Sequence, residues 1–458
     1  MAVTDPDPTI TPDPNQLGTN AITDGVTPVL IPADRYRTQA FADMERERLW
    51  PTAWMVACSV EHVPTAGAVF EWTCGELSVL VVRGADGLLR GFQNACRHRG
   101  NAICQGAQSG LTELRCPYHR WSWDLEGQLV EVPSRRGFGP GLRNENFGLF
   151  PVSVDTWGPL VFVNISPDAQ SLADYLEGVP DDIAWANLEE FRCSASVTTA
   201  VNSNWKVVAE GFSETYYVQG IHQELLATMD DVHAPQKLWD LHGMSWQAYG
   251  TPSPRLRNGS DDGAWNGFLD TQGARMGLEP GSPTPEVPDG RTMADVIAEL
   301  IRDHQSASGV DLSGYSTEQI TGLSQYNLFP NSTVLVNADL LSVLIARPGD
   351  TPHDAWFTML IFKRVAEGTE VARAAEFVVA EDTEMGTVMS QDLGVLRTAQ
   401  VGLRQPALTH LAVGAEECRI INLHRNLENW MGIEPSELVP IADGPPPAGD
   451  ATNHTGNT

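Results

Sequence analysis

Two Cys–His pairs form the clearest chemical pattern in this sequence. Cys96 and His98 lie two residues apart, and Cys116 and His119 follow three residues apart after a loop. Two thiolates and two imidazoles suit one zinc ion, or a [2Fe–2S] cluster with both Cys on one iron and both His on the other. Zinc fingers usually pair Cys with Cys and His with His, whereas each pair here mixes the two types. The spacing therefore favours the cluster.

Together with Pro117 and Gly100, this pattern resembles the cluster motif of Rieske proteins, and the chain resembles the large (alpha) subunit of the Rieske non-haem iron oxygenases. Respiratory Rieske proteins carry a further Cys in each cluster loop, and those positions here are Asn101 and Tyr118. The resemblance is thus to the oxygenase branch. Arg120 departs from the Gly that commonly follows the second His, but this change removes no ligand.

The resemblance implies an α+β fold, with a small all-β Rieske [2Fe-2S] domain and a helix-grip catalytic domain built on an antiparallel sheet. Short strands with turn signals before residue 165, and a Pro-, Asp- and Thr-rich start, agree with it. The predicted divisions are a disordered arm at 1–30, a helix at 31–50 packing on the catalytic domain, the Rieske domain at 51–165, the catalytic mononuclear-iron domain at 166–440 and a flexible tail at 441–458.

Periodicity and composition give a coarse reading of the second domain. They predict one or two helices in 204–230, a long loop over a pocket at 250–290, a helix at 291–305, antiparallel strands at about 332–347, 353–366 and 373–380, and the last long helix at 383–404. The expected apolar pocket draws on Trp239, Trp246, Trp265, Phe268, Leu328 and Phe329.

A second metal site follows from the resemblance, because the family holds a mononuclear iron with two His and one carboxylate. His222 matches one of these His, and Tyr217 stands where the other is expected. Three interpretations remain open: Tyr217 binds the iron, it leaves the site weakly metallated, or it is an engineered change. His233 and His242 are the alternative ligands nearby. An unbroken helix would set positions 217 and 222 about 140° apart, so Gly220 is expected to break it.

Asp392 is the candidate carboxylate ligand. It shares the predicted apolar face of its helix, and a buried carboxylate is costly unless it is paired or binds a metal. The apolar positions of that face are Val388, Val395 and Ala399. A buried ion pair with Arg397 or Arg404 is the alternative. The resemblance supports the metal, since Gln391-Asp392 matches the sequence context of the family's third ligand.

Glu214 is the candidate catalytic carboxylate outside the ligand set. At helical spacing it shares a face with Glu210 and Tyr217, and a solvated acidic face is the simpler interpretation. The resemblance implies that Glu214 bridges His119 or His98 of one subunit to His222 of the next. It therefore implies a ring of subunits, most often a homotrimer.

Composition excludes several classes of partner. A formal charge of −30 makes nucleic acid and anionic membranes improbable partners. No window approaches the ~20 apolar residues of a membrane helix, and the start lacks the pattern of a signal peptide, so we expect a cytoplasmic protein. Four arginines near the cluster form either ordinary ion pairs or a docking patch for an acidic ferredoxin or reductase. They are Arg97, Arg99, Arg115 and Arg120.

The resemblance as a whole predicts the oxygenase component of a Rieske system. Electrons from NAD(P)H would arrive through a separate reductase, with or without a ferredoxin, and a beta subunit can accompany the chain in this family. With O2, the chain would hydroxylate or N/O-dealkylate a small aromatic or N-methyl substrate. One alternative is a cluster-carrying electron-transfer or structural subunit whose iron site is disabled at Tyr217. A zinc-bound structural module is the other.

Overall fold

The computed structural model of the chain describes residues 25–370 and 372–443. Both of its domains are built on β-sheets. In chain order the strands are β1 Val29–Pro32, β2 Met55–Ser59, β3 Val69–Cys74, β4 Leu77–Arg83, β5 Leu89–Gln93, β6 Leu114–Arg115, β7 Ser122–Trp123, β8 Leu129–Glu131, β9 Pro151–Trp157, β10 Leu160–Asn164, β11 Phe191–Val201, β12 Met229–Asp230, β13 Gln236–Leu238, β14 Gly243–Tyr249, β15 Leu323–Leu328, β16 Ser332–Val336, β17 Leu340–Pro348, β18 Ala355–Arg364, β19 Ala375–Val379, β20 His410–Val413 and β21 Val439–Pro440.

The described chain has ten α-helices, and all but the first follow β10. They are α1 Gln39–Met44, α2 Leu172–Tyr175, α3 Val179–Asp182, α4 Trp205–Glu210, α5 Val218–Ile221, α6 Asp261–Gln272, α7 Met293–Ala307, α8 Thr317–Thr321, α9 Thr387–Leu403 and α10 Cys418–Met431. Among the helices of the described chain, none is long and apolar enough to cross a membrane.

The first domain is all β. A six-stranded antiparallel sheet has the order β2-β10-β9-β5-β4-β3, and a small sheet β6-β7-β8 stands beside it. Alternate residues of a strand face opposite sides, and β4 uses both sides. Val79 and Val81 join the main core shared with the second domain, whereas Leu80 and Val82 join the core beneath the cluster loops. The sheet thus fixes those loops against the rest of the molecule.

The second domain is built on a nine-stranded sheet of order β12-β14-β15-β16-β17-β18-β11-β19, with β13 also paired to β14. Helices α4 and α9 pack against this sheet and each other. The predicted α+β class with two domains is confirmed. The predicted division at 165/166 stays a prediction, with β10 ending at Asn164.

Four features of the second domain differ from the sequence prediction. Helix α6 lies inside the predicted loop at 250–290; Gly263 and Gly267 weaken its pattern, but Trp265 and Phe268 are buried in a core. Strand β19 runs parallel to β11, not antiparallel. The last long helix is α10, which follows the helix predicted at 383–404. Moreover, a turn divides the predicted strand at 332–347 into β16 and β17.

The first and last strands of the described chain lie in one small sheet. Strand β1 pairs with β20 and β21, so Val29 and Leu30 are strand residues within the predicted 1–30 arm. Residues 1–24 of that arm, and 444–458 of the predicted tail, lie outside the described residues. The segment predicted as one helix at 31–50 contains a 3-10 turn, α1 and a π-helical turn at Glu45–Leu49, and it contacts the second domain.

Candidate metal centres

The Cys side chains of the two cluster loops lie together beneath the surface. Cys96 follows β5 and Cys116 follows β6, and both are buried. Burial raises the pKa of the Cys96 thiol, while the backbone N–H groups of His98 and Arg99 point at it and the Cys116 thiol is in contact. Backbone donors aimed at a sulfur pair are what a bound cluster needs to tune and stabilise its thiolates.

The two His rings complete this centre at its outer end. The His98 and His119 rings lie 4.6 Å apart, and His98 stacks on Trp121 with ring centroids 5.2 Å apart. The Nδ1 atom of His98 is buried and has no hydrogen-bond partner within the described chain. Burial lowers the pKa of His98, helped by His119 and Arg99, so its neutral form is favoured. A neutral imidazole with an orphaned nitrogen fits coordination to iron. The residues present therefore fit a [2Fe–2S] cluster.

Arg120 adopts the backbone conformation that glycine takes in this motif. Its φ is +64°, in the left-handed region, and Gly100 of the other loop has φ +73°. A non-glycine residue there costs about 1 kcal/mol or more. We expect Arg120→Gly to raise the free energy of unfolding by about 1 kcal/mol, and Gly100→Ala to lower it by a similar amount. Thermal unfolding of the cluster-loaded protein measures both, and the same sign for the two variants would contradict this account.

The four arginines near the cluster divide into two kinds. Arg97 binds the Gly148 carbonyl and lies 4.1 Å over the Phe150 ring, and Arg115 pairs with two glutamates, so both are structural. Arg99 lies over the Tyr118 ring and is exposed, as is Arg120, and neither forms an ion pair in the described part of the chain. The predicted docking patch is thereby narrowed to Arg99 and Arg120.

Tyr217 and His222 flank the one-turn helix α5. Their rings lie 5.1 Å apart in an edge-on arrangement. The chain leaves helical geometry at His222, with φ −119° and ψ 51°. The helix ends at Ile221, one residue after the expected break at Gly220. The predicted shared face of Glu210, Glu214 and Tyr217 is wrong, because α4 ends at Glu210.

His222 is held by two consecutive residues of α9. Its Nε2 lies 2.9 Å from Asp392 Oδ1, and its Nδ1 lies 2.6 Å from Gln391 Oε1. Because an amide oxygen only accepts, Gln391 fixes a proton on Nδ1, and Nε2, which faces Asp392, is the atom that would bind a metal. Burial raises the pKa of Asp392. Burial acts to lower the pKa of His222, but the contact with Asp392 outweighs it, and the pKa of His222 is raised. Both side chains are almost wholly buried.

The face of α9 that carries Asp392 differs from the predicted one. Leu393 and Leu396 are buried beside Asp392, whereas Val395 is 40% exposed. Asp392 forms no ion pair with Arg397 or Arg404; Arg397 pairs instead with Glu381. The sequence analysis predicted correctly that Asp392 is buried, but it named different neighbours on the buried face of the helix.

Tyr217 occupies the third position as a neutral phenol. Burial raises its pKa well above the usual value, with further increases from Asp392 and Glu214. No three His, Cys, Asp or Glu side chains in residues 25–370 and 372–443 converge on one metal position. His222 and Asp392 therefore fit two of the three donor positions of an iron site, and Tyr217 fits the third only if metal binding displaces its proton.

The other predicted candidates lie elsewhere or play other parts. His233 is 58% exposed and bonded to Asp230, and His242 is buried between the Tyr175 carbonyl and the Phe329 N–H, so neither replaces Tyr217. Five of the six residues expected to line one apolar pocket divide between two cores, and Trp246 belongs to neither. Trp265 and Phe268 join one, while Trp239, Leu328 and Phe329 join another.

Glu214 caps the turn before α5 and accepts a hydrogen bond of 2.9 Å from the Tyr217 N–H. Burial raises its pKa to about 8, although the nearby Arg419 acts in the opposite direction. Arg419 was not foreseen from the sequence, and nothing in its local sequence marks it. Tyr249, whose buried ring also interacts electrostatically with Tyr217, was missed as well.

Glu210 turns away from the metal position into a buried polar network. Its Oε1 accepts hydrogen bonds of 2.8 Å from the Tyr36 hydroxyl and from His424 Nε2. Burial raises the pKa of Glu210 to about 8, so this carboxyl is protonated at neutral pH.

The raised pKa of Glu210 gives a prediction about pH and stability. Because the folded state holds this proton more tightly than the unfolded state, the stability contributed by Glu210 falls as pH rises from about 4.5 to about 8. Between pH 6 and 8.5 we expect the wild type to lose about 2 kcal/mol relative to Glu210→Gln. Denaturant unfolding at the two pH values measures this, with exposed Glu47→Gln as the control. Parallel losses in wild type and Glu210→Gln would contradict it.

Comparison with known proteins decides the family. Residues 184–433 match the ring hydroxylating alpha subunit (catalytic domain), and residues 53–147 match the Rieske [2Fe-2S] domain. The chain belongs to this family. Its members are Rieske non-haem iron oxygenases whose catalytic domain uses a mononuclear iron, which confirms the resemblance first indicated by the Cys and His spacing.

Curated relatives share part of the chain. The glycine betaine monooxygenase oxygenase subunit of Pseudomonas aeruginosa is 29% identical over 209 residues, 45% of this chain and 48% of the relative. The carnitine monooxygenase oxygenase subunit of Escherichia coli K12 is 29% identical over 52% of this chain and 64% of the relative. The biphenyl 2,3-dioxygenase alpha subunit of Rhodococcus jostii is 32% identical over 42% of each. The matched part spans about half the length of such relatives.

Solved structures extend the likeness of fold to nearly the whole chain. A quaternary ammonium Rieske monooxygenase in complex with L-carnitine covers 90% of this chain and 97% of its own, with a TM-score of 0.64 and 15% identity. Naphthalene 1,2-dioxygenase from Rhodococcus sp. covers 89% and 95%, with a TM-score of 0.60 and 18% identity. At such identities the likeness concerns the fold.

Proposed function

We propose that this protein is the oxygenase component of a Rieske system, which uses O2 and electrons from a separate NAD(P)H-dependent reductase to oxidise a small organic substrate. The observation that carries the proposal is the joint presence of a cluster-fitting Cys2His2 centre and of the buried His222–Asp392 pair. Family membership supports it. The named relatives act on glycine betaine, carnitine and biphenyl, so we extend the proposal to hydroxylation or N/O-dealkylation of aromatic or N-methyl compounds.

In this proposal Cys96, His98, Cys116 and His119 hold the cluster, and His222 and Asp392 hold the mononuclear iron. When bound, the iron supplies the reduction of O2. The protein's own part is to orient these donors and keep water out. Gln391 sets the tautomer of His222, and the burial of both iron donors lowers the local dielectric.

We also propose that electrons cross between subunits of a homotrimer, with Glu214 between the two centres. Exposed aromatic rings at both ends of that route support an interface there. Tyr118 and Phe138 beside the cluster are 56% and 42% exposed, and Tyr216 beside Glu214 is 52% exposed. Large exposed aromatic groups are typical of protein contact surfaces. Arg99 and Arg120 are the proposed contacts for an acidic ferredoxin or reductase.

The role of Glu214 gives a direct test of this electron route. With excess Fe(II) present, we expect Glu214→Gln to slow reoxidation of the reduced cluster by O2 strongly, because the bridge loses one of its two oxygen acceptors. The EPR spectrum of the cluster should be unchanged, since Glu214 lies outside the cluster loops. Stopped-flow absorbance of the reduced protein measures the rate. A rate equal to the wild type would remove Glu214 from the route.

A second candidate function rests on Tyr217. With a neutral phenol as the third group, the chain could carry electrons through its cluster without oxidising a substrate. Anaerobic iron loading, followed by EPR with nitric oxide and by turnover with glycine betaine, carnitine and biphenyl, separates the two. An Fe(II) signal responsive to nitric oxide and an oxygenated or dealkylated product support the oxygenase. Cluster iron alone, with no product, supports the electron carrier.

A further inference from the structure

Arg419 is unlike the other buried arginines of the described chain. Arg35, Arg255, Arg275 and Arg364 each form an ion pair with a carboxylate. Arg419 is only 3% exposed and pairs with none within ion-pair distance. A buried guanidinium without a carboxylate partner is costly. The other contacts of Arg419 must therefore offset this cost.

The contacts of Arg419 are three amide oxygens on the central sheet. Its Nε donates to Gln236 Oε1 at 3.1 Å, and its Nη1 donates to Gln325 Oε1 at 2.9 Å and to Asn327 Oδ1 at 2.6 Å. Gly243 leaves room for the side chain, since a Cβ there would lie 3.0 Å from Arg419 Cγ. Because arginine only donates, it fixes which end of each amide faces it.

Fixing the oxygens also fixes the amide nitrogens. The NH2 groups of Gln325 and Asn327 both donate to the carbonyl of Phe212, each at 2.8 Å. Phe212 lies near the start of the irregular link 211–217 between α4 and α5. This link contains Glu214 and ends at Tyr217. A guanidinium on α10 thus controls two donors that hold the backbone of the site.

We propose that Arg419 is a positioning residue, which orients Gln325 and Asn327 so that they clamp the Phe212 carbonyl and hold the 211–217 link in place. The proposal rests on the proposed function only in treating this link as part of the iron site. The guanidinium also acts electrostatically on Glu214 and Tyr217, while burial lowers its own pKa to about 10. Its charge therefore faces the same link that its hydrogen bonds hold.

Two variants and a matched control test the clamp. Arg419→Gln removes the donor that orients both amides. Asn327→Asp keeps the contact with Arg419, now as an ion pair, but removes one donor to Phe212. Arg364→Gln is the control, because it breaks another buried arginine contact whose partners are Glu190 and the Ala338 carbonyl. All three proteins keep the cluster ligands, so the cluster EPR spectrum reports folding of the first domain, and the Tm reports folding of the second.

Hydrogen exchange of the amides in 212–218 is the first readout. We expect about tenfold faster exchange in Arg419→Gln and a smaller acceleration in Asn327→Asp without a lower Tm. In Arg364→Gln the exchange of this peptide should follow only the change in global stability. Unchanged exchange in Arg419→Gln, or equal acceleration in Arg364→Gln, would overturn the proposal.

The second readout is spectroscopic and uses nitric oxide as the probe. In a Tyr217→His background loaded with Fe(II), Arg419→Gln should alter the rhombicity of the EPR signal of the nitric oxide complex, whereas Arg364→Gln should leave it unchanged. An unaltered signal in Arg419→Gln would count against the clamp. If that background binds no extra iron, the proposed function fails, and the exchange experiment alone then decides the role of Arg419.

Discussion

A Tyr217→His variant should bind one more iron per chain than the cluster requires, about three in all. The wild type should bind this additional iron so weakly that only the cluster iron, about two per chain, remains after the same anaerobic loading and desalting. The reason is the state of the phenol. Tyr217 is kept neutral by burial and by the charges of Asp392 and Glu214, and a neutral phenol is a poor iron ligand. An imidazole at this position needs no deprotonation to bind.

The size of the expected effect follows from counting donors. His222 and Asp392 already lie 2.9 Å apart, a spacing suited to two neighbouring ligands of one ion. Completing the facial triad should tighten iron binding by at least about 100-fold, the upper end of what loss of a supporting residue costs. Competition with a chelator, followed by metal analysis, measures the affinity of both proteins.

The Tyr217→Phe variant is the control that distinguishes iron binding by the hydroxyl from an effect of the size of the ring. It removes the hydroxyl but keeps the ring beside His222. We expect the iron content of Tyr217→Phe to equal that of the wild type. About three irons in the wild type, falling to two in Tyr217→Phe, would instead show that the phenolate is a ligand. A visible charge-transfer band in the oxidised wild type would lead to the same conclusion.

The cluster centre was predictable because its determinants are local. All four residues lie in two loops flanking β6, and their type and spacing carry the chemistry. The backbone supports the same sites, since Gly100 and Arg120 both adopt positive φ. Such a centre can be predicted from one sequence because its ligands lie close together along the chain.

The iron site was only partly predictable because it depends on contacts far apart in sequence. Burial of Asp392 followed from helical spacing, but its neighbours did not, as the exposed Val395 shows. The clamp on Phe212 depends on the register of β14 and β15, which brings Gln325 beneath the link. Arg419 reaches it from α10, a helix whose contacts leave no local signal in the sequence. Tertiary packing, not propensity, selects such residues.

Breaking the buried Lys206–Glu45 pair should cost about 3–5 kcal/mol of unfolding free energy, whichever partner is removed. Lys206 is fully buried, and its Nζ lies 2.5 Å from Glu45 Oε1. Glu45 also accepts a hydrogen bond of 3.0 Å from the Trp205 indole. Lys206→Met leaves a buried carboxylate without its partner, and Glu45→Gln leaves a buried ammonium, which is the costly outcome in each case.

The double variant and an exposed pair supply the controls. Lys206→Met with Glu45→Gln should cost less than the sum of the single changes, because no buried charge is then left alone. Lys237 and Asp182 form a pair of similar length, 2.6 Å, but Lys237 is half exposed. Lys237→Met should therefore cost about 0–1 kcal/mol. Denaturant unfolding of all four proteins measures these differences.

Loss of the Lys206–Glu45 ion pair should also have a local effect, because the pair joins two parts of the chain that are distant in sequence. Glu45 lies in the N-terminal segment, and Lys206 lies in α4, the helix that leads to Glu214 and Tyr217. When the pair is broken, the N-terminal segment loses a buried attachment to the second domain, so limited proteolysis should cut within 33–49 before the cluster domain unfolds. Additive costs in the double variant, together with protection of 33–49 in the single variants, would show that apolar packing alone holds this segment. The buried charge of Lys206 would then serve another purpose, and the nearby Glu210, whose carboxyl loses its proton as pH rises through about 8, would be the first group to examine.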